Sequence, residues 1–427
     1  MPLLVVILFH LFLLFNLEFT AWPEMISYPY LVNSGFKLYT DFIHPYPPLL
    51  TLLLGFTYKI FGVHIWTLKI FTWIIVILSD ITLFLIAKKF ISGKIPYLVL
   101  FVYVIFQTFL DGNMLWFDNA LVLPLLLTLY FTISEKYFFG GFFLTIAFLV
   151  KQTSFIYLLP LALFAKKKLF RLLIIPVIGL TILNIDQFWQ WGFVNPFLYW
   201  TNFPGYVTFD LSTTEKVIIA SLVILLFPSL FLVKKRIHWL LGAFIITAIF
   251  ATYPRFSFFH LQPLFGPLAL MIGFIYQKYG RPYLTVVFLV ILLIFSLVLP
   301  FNWHKPPRFW ESRDVQISKY LTANSSKSQS VFLIGLNSSL YALSGRLPPT
   351  PWSDNFGWYF AAPGVENKVL EGLSQNNPEL ILVQTPQPGN WYDLGTYRPP
   401  QIMNFIHSNY YLASYPFLGI EQWLKKP

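Results

Sequence analysis

Residues 65–87 read IWTLKIFTWIIVILSDITLFLIA, and Lys88 and Lys89 close the run at once. At about 1.5 Å per residue, a helix over this stretch is ~34 Å long, enough to cross the ~30 Å hydrocarbon core of a bilayer. The lysines that follow suit the cytoplasmic end of a span, where positive charge accumulates.

Working outward, similar apolar runs cover Pro2–Phe19, Ile95–Leu110, Ala120–Ile133, Phe138–Val150, Ser154–Ala165, Leu172–Phe188, Val217–Val233, His238–Thr252, Pro263–Tyr276 and Pro282–Pro300. Leu49–Phe61 is too short to span and is expected to be interfacial or re-entrant. Basic clusters test the map. Lys88/Lys89/Lys94, Lys136, Lys166/Lys167/Lys168/Arg171, Lys234/Lys235/Arg236 and Lys278/Arg281 fall in alternate loops, as expected if those loops are cytoplasmic. The segments 20–48, 111–119, 189–215 and 253–262 then face outward, as does everything after Phe301. Pro2–Phe19 has no basic residue ahead of it and no small-residue cleavage site behind it, so it is expected to stay as the first helix.

Composition agrees. Of 427 residues, 57% are hydrophobic and 11% charged. Soluble domains carry about 25% charged residues, and one soluble core stops growing near ~250–300 residues, so this chain needs lipid as a second solvent. The net charge of +11 resides in the loop clusters and calls for no nucleic-acid partner. With no cysteine, disulfides and thiolate chemistry are excluded.

After Asn302-Trp303-His304-Lys305-Pro306-Pro307 the character changes. Val331–Leu336 and Leu380–Val383 read as buried strands, and Arg313–Asn324, Glu366–Gln375 and Gln401–Asn409 as helices. The expected fold is an all-α polytopic membrane bundle of about eleven helices, residues 1–300, with a small α/β extracytoplasmic domain over 301–427.

No Walker A, G-x-G-x-x-G, H-E-x-x-H or G-x-S-x-G pattern occurs. Chemistry must therefore come from outward-facing polar residues. The first outward segment places Glu24, Asp41 and His44 among aromatics and prolines. A partly buried carboxylate there can serve as a base toward a hydroxyl, or can be a plain solvated loop charge. Asp118 stands just ahead of an apolar run, where an acid is either functional or the cap of the following helix. Lys151-Gln152 interrupts two apolar runs, and Arg255, His260 and Gln262 lie between two more. Lys151 can snorkel to the surface or hold a phosphate, and Arg255 suits bidentate phosphate contacts. Asp80, Asn184 and Asp186 are the few polar exceptions near or within spans. A divalent cation is a further role open to the carboxylates, though no ligand spacing demands one.

These motifs resemble the C-type membrane glycosyltransferases (GT-C), above all the aminoarabinose- and protein-O-mannosyl-transferase-like branch. The shared stretch is Gly35…Tyr39-Thr40-Asp41-Phe42…Pro47-Pro48-Leu49, followed by Asp118, Lys151 and Arg255-Phe256…Pro263. The resemblance covers about the first three hundred residues. It implies transfer of a sugar from a polyprenyl-phosphate carrier to an acceptor outside the membrane, a lipid, a glycan or a protein. Glu24, Asp41 and Asp118 would be the catalytic carboxylates. His44, Lys151, Gln152, Arg255 and His260 would bind the lipid phosphate or substrate. The family often has an Asp-Glu pair after its first span, whereas this chain reads Trp22-Pro23-Glu24. Glu24 and Asp41 thus both stand as the base. The competing classes are a lipid or polysaccharide transporter or flippase, expected to show inverted repeats and midplane charges, and a non-catalytic membrane scaffold.

Overall fold

The computed structural model describes residues 2–180, 185–232, 235–385 and 398–427. Asn184 and Lys234 lie outside them. The chain divides into two compact units, one of residues 1–20, 68–183 and 209–307, the other of 21–67, 184–208 and 308–427.

The first unit is helical. Ile65–Phe90 (whose first three residues belong to the second unit), Ile95–Gly112, Thr213–Phe231, Phe258–Tyr279 and Arg281–Asn302 are each long and apolar enough to cross a membrane. Shorter apolar helices include Leu3–Asn16, Phe117–Ile133, Tyr137–Val150 and Arg236–Phe250. With the membrane-protein relatives given below, these make the chain a multi-pass membrane protein.

At the centre stands the helix Gln262–Tyr279, buried at every position from Gln262 to Ile275. It packs on Ile95–Gln107, Phe117–Ile133 and Arg236–Phe250. A helix apolar all round belongs inside, and small residues let its neighbours approach. A Cβ at Gly273 would lie 2.5 Å from Val99 Cγ2. Gly141 does the same for Tyr137–Val150, where a Cβ would sit 2.2 Å from the Leu172 carbonyl oxygen.

Asp80, the acid expected inside a span, has a partner. His10 Nδ1 is 2.8 Å from Asp80 Oδ2, and His10 Nε2 is 2.8 Å from Gln107 Oε1. All three side chains are buried. The Gln107 amide in turn donates to the Gly112 carbonyl. One polar chain therefore joins three helices to the turn Thr108–Gly112, as a group buried in apolar surroundings requires.

The second unit carries a four-stranded sheet of order β1-β2-β4-β3. Strands β1 (Val331–Ile334) and β2 (Leu380–Gln384) are parallel, and β4 (Ile420–Lys425) pairs antiparallel with β2 and with β3 (Tyr410–Phe417). The parallel pair is a continuous apolar run because both faces are covered. The hairpin of β3 and β4 was not expected from sequence; five successive residues of β3 are exposed, which hides the usual alternation.

This sheet shares its core with the first outward segment. Tyr28, Leu31 and Phe42 pack in one buried cluster with Val331–Ile334, Leu380–Val383 and Trp352. Asp41 and Ile43 exchange backbone hydrogen bonds with Trp352. Within that segment, Glu24–Asn33 forms a helix with Pro29 inside it, where the prolines favoured a loop. A second cluster joins Ile43, Trp200, Tyr206, Trp358 and Tyr359. Three separate pieces of sequence thus build the two buried clusters of this unit.

Close packing predicts a contrast between two glycines. Gly141→Ala should cost about 1–3 kcal/mol, since a backbone carbonyl must move. Gly242→Ala, with open space around its Cβ, should gain the ~0.5–1 kcal/mol of helix propensity. Thermal midpoints of the purified protein in detergent check this; equal midpoints would contradict the packing.

Candidate functional site

In the first unit, three helix ends bring three of the expected residues together. Asp118 lies in the first turn of Phe117–Ile133. It is not the helix cap: Trp116 holds that position without a side-chain bond, and the carboxylate turns elsewhere. Lys151 is the extended residue that ends Tyr137–Val150. His260 lies in the short turn Phe258–Leu261, just ahead of the central helix. An anion at a helix start and a cation at a helix end both complement the backbone dipoles.

Lys151 Nζ sits 2.7 and 2.6 Å from the two Asp118 oxygens. His260 Nδ1 is 2.8 Å from Asp118 Oδ2. A carboxylate only accepts, so Nδ1 carries the proton in this contact and Nε2 remains the second polar face of the ring. The Lys151 and Asp118 side chains are 8% and 1% exposed, which leaves the pair nearly dry. Arg255 is half-buried, and its positive charge acts on His260. Gln152 follows Lys151 in a 3₁₀ turn. Lys151 thus faces Asp118, and the charge of Arg255 reaches the same cluster through His260.

The floor beside this cluster is pinned. Gln262 Nε2 donates to the carbonyls of Leu110 and Gln107, and Asn119 Nδ2 to that of Gly112. They hold the turn Thr108–Gly112, in which Asp111 takes φ +56°. Asp111 itself is exposed.

The second unit holds the other three. Glu24 is buried in the first turn of its helix. Asp41 is half-buried, and its Oδ2 accepts the Lys37 backbone N–H at 2.8 Å, which closes its own turn. His44 is buried; its Nδ1 donates to the Tyr46 carbonyl at 2.7 Å, so Nε2 accepts from Thr51 Oγ1 at 2.8 Å. Burial pushes the ring down to about 4, and His44 is neutral at pH 7.

Glu24 has company that sequence reasoning missed. Ser27 Oγ is 3.1 Å from Ser338 Oγ, which donates to Asp354 Oδ2 at 2.8 Å. Asp354 is 2% exposed, and burial raises its carboxyl to about 6. The charges of Asp354 and Glu24 both act on the buried Tyr28 and Tyr359 hydroxyls, which are held well above the usual tyrosine range, by burial first. The signal was present in Trp352-Ser353-Asp354-Asn355-Phe356, an acid set among aromatics like Asp41. Among the described residues, no three His, Asp or Glu side chains gather as a metal-binding group.

With this geometry established, the likenesses to known proteins become informative. The family described as dolichyl-phosphate-mannose-protein mannosyltransferase matches residues 44–185. No protein with a curated description matches by sequence. Crystal structures of ArnT from Cupriavidus metallidurans superpose over 99% of this chain and 96% of theirs, at 11% identity. The TM-score is 0.60 for the apo state and 0.57 for the state bound to undecaprenyl phosphate. The apo oligosaccharyltransferase of Archaeoglobus fulgidus superposes over 100% of this chain and 74% of its own, with TM-score 0.57 and 10% identity. The GT-C resemblance read from the sequence stands: the matched family and these structures are glycosyltransferases of that type, and the chain has their fold.

The buried pair makes a strong prediction. Asp118→Asn leaves the Lys151 ammonium buried without its carboxylate and should cost about 3–5 kcal/mol. Adding Lys151→Met should restore most of that loss. Thermal midpoints of both single variants and the double variant measure the coupling; strictly additive losses would contradict the pairing.

Proposed function

We propose that this protein transfers a sugar from a polyprenyl-phosphate-linked donor to an acceptor hydroxyl outside the membrane. In this reading about eleven helices span the bilayer, and the second unit faces outward.

The observation that carries the proposal is the buried Asp118–Lys151–His260 cluster with Arg255 beside it. Its two basic side chains suit the phosphate of a lipid carrier. Lys151 has three N–H donors, and Arg255 adds a guanidinium fork. Asp118 fixes the direction of Lys151 and His260, a positioning role. Gln152 would add an amide donor. In support, an ArnT structure of the same fold holds undecaprenyl phosphate, and the matched family is described by a dolichyl-phosphate sugar.

The chemistry then needs one base. The acceptor oxygen forms a bond to the anomeric carbon, and its proton passes to a carboxylate. The bond from that carbon to the phosphate oxygen breaks, and the electron pair leaves with the lipid phosphate. Approach opposite the leaving group inverts the anomeric centre. Lys151 and Arg255 stabilise the charge gathering on the phosphate, the usual largest contribution to such a transition state. Of the three expected carboxylates, Asp118 is bound by two donors and Asp41 closes its own turn. Glu24, buried in the first turn of its helix, is the carboxylate left for the role of base. His44 stiffens the loop that follows.

Purified protein incubated with radiolabelled short-chain polyprenyl-phosphate sugars and candidate acceptors tests this. Label should enter acceptor with equal release of polyprenyl phosphate. Glu24→Gln should lower turnover by about 10²–10⁴-fold, with donor affinity retained. No release from any donor, or normal turnover by Glu24→Gln, would overturn the reading.

A further inference from the structure

We infer that the helix Leu49–Phe61 lies flat in the headgroup boundary of the bilayer, with lipid as the partner of its open face, and holds the helix of Glu24 at a fixed height there. The inference rests on the proposed transfer reaction only for the role of Glu24; the lipid contact can be tested without it.

One side of this helix is committed to protein. Leu50, Leu54 and Tyr58, spaced i, i+4 and i+8, are buried together with Thr51 and Gly55. That side packs on Glu24–Asn33. Asn33 Nδ2 donates to the Gly55 carbonyl at 2.8 Å, and the Tyr58 hydroxyl donates to the Met25 carbonyl at 3.0 Å. The approach is close, since a Cβ at Gly55 would stand 3.2 Å from Asn33 Oδ1. Polar bonds at two points thus lock the two helices together.

The opposite side is open. Leu52, Leu53, Phe56 and Ile60 are each 45–64% exposed. At ~100° per residue, all four fall in one stripe about 100° wide. A helix that faces water carries polar residues on its outer side. Here the outer side is apolar along its length. Its charged residue, the exposed Lys59, stands at the rim of the stripe, where a lysine can lay its stem on apolar surface and keep its ammonium among headgroups.

The course of the chain says what covers the stripe. Gly62, at φ +77°, ends the helix. Only Gly62, Val63 and His64 separate Phe61 from Ile65–Phe90, which is long and apolar enough to cross a membrane. The stripe is therefore tethered at the start of a span. Trp66, exposed in the first turn of that span, is the type of ring that gathers at headgroup level. The 13 residues of Leu49–Phe61 make a helix ~20 Å long, short of the ~30 Å hydrocarbon core. Its inner side is occupied by a helix that buries the polar Glu24 and Ser27, so neither helix suits a dip into hydrocarbon. Lying flat with the stripe toward the acyl chains satisfies both faces. Of the interfacial and re-entrant arrangements that its length allows, the two faces select the interfacial one. The lock to Glu24–Asn33 then sets the height of Glu24 against the lipid.

The chain has no cysteine, so single cysteines can be introduced into the full-length protein, labelled with a nitroxide and studied in lipid nanodiscs. Leu52→Cys, Leu53→Cys, Phe56→Cys and Ile60→Cys change exposed positions and should leave the fold intact. Electron paramagnetic resonance reads collisions with oxygen, which concentrates in lipid, and with a water-soluble nickel chelate. All four labels should favour oxygen and lie within about 5–10 Å of the headgroup boundary, with no trend along the helix. A depth that increases steadily from Leu52 to Ile60 would show a re-entrant helix and overturn the inference. Frequent nickel collisions at all four would show water on this face, and few collisions with either reagent would show a protein partner such as a second copy; both results would also overturn it. No donor or acceptor enters the measurement, so failure of the transfer reading and failure of the lipid contact are told apart.

Discussion

An ammonium and a carboxylate cannot be left apart in a membrane protein's dry interior, and Asp118 with Lys151 answers that constraint at the meeting of three helix ends. Each charge alone would cost several kcal/mol to bury; together, with His260 as third partner, their hydrogen bonds offset much of that. The consequence is geometric. Helices that share no local sequence are held in register by one cluster, and the central helix Gln262–Tyr279 enters it through His260 and Gln262. The His10–Asp80–Gln107 chain applies the same rule elsewhere in the first unit. Polar groups in the bundle are few, and those described in these two networks are joined to one another. Such networks specify one packing where apolar contacts alone would permit several.

The second unit answers a different constraint. A sheet of four strands has two faces to cover, and part of its cover comes from residues more than 280 positions earlier, such as Tyr28, Leu31 and Phe42. The segment that carries Glu24 is therefore rigid because it is core. The base proposed on that helix would keep its direction, which a group on a free loop would not.

Much of this was legible in the sequence, because membrane helices announce themselves locally. The run at 65–87 gave the helix Ile65–Phe90, and Leu49–Phe61 formed as read. The helices and the two parallel strands of the tail also lie where periodicity placed them. Asp118, Lys151 and His260 were each visible as a polar residue at the end of an apolar run, though nothing local paired them. What was hidden depends on distant partners. Asp354 gains meaning only from Ser27 by way of Ser338, across 311 positions between the two serines. The helix Glu24–Asn33 was masked by its prolines, since Pro29 breaks the local pattern while tertiary packing holds the helix.

The proposed reaction requires that the cluster in the first unit receive a phosphate. Native mass spectrometry of the protein in lipid nanodiscs, with polyprenyl monophosphate and polyprenol of equal chain length in competition, addresses that claim. A phosphate held by Lys151 and Arg255 predicts a preference of at least ~10-fold for the monophosphate, or about 1.4 kcal/mol. Equal occupancy by the two lipids would contradict it.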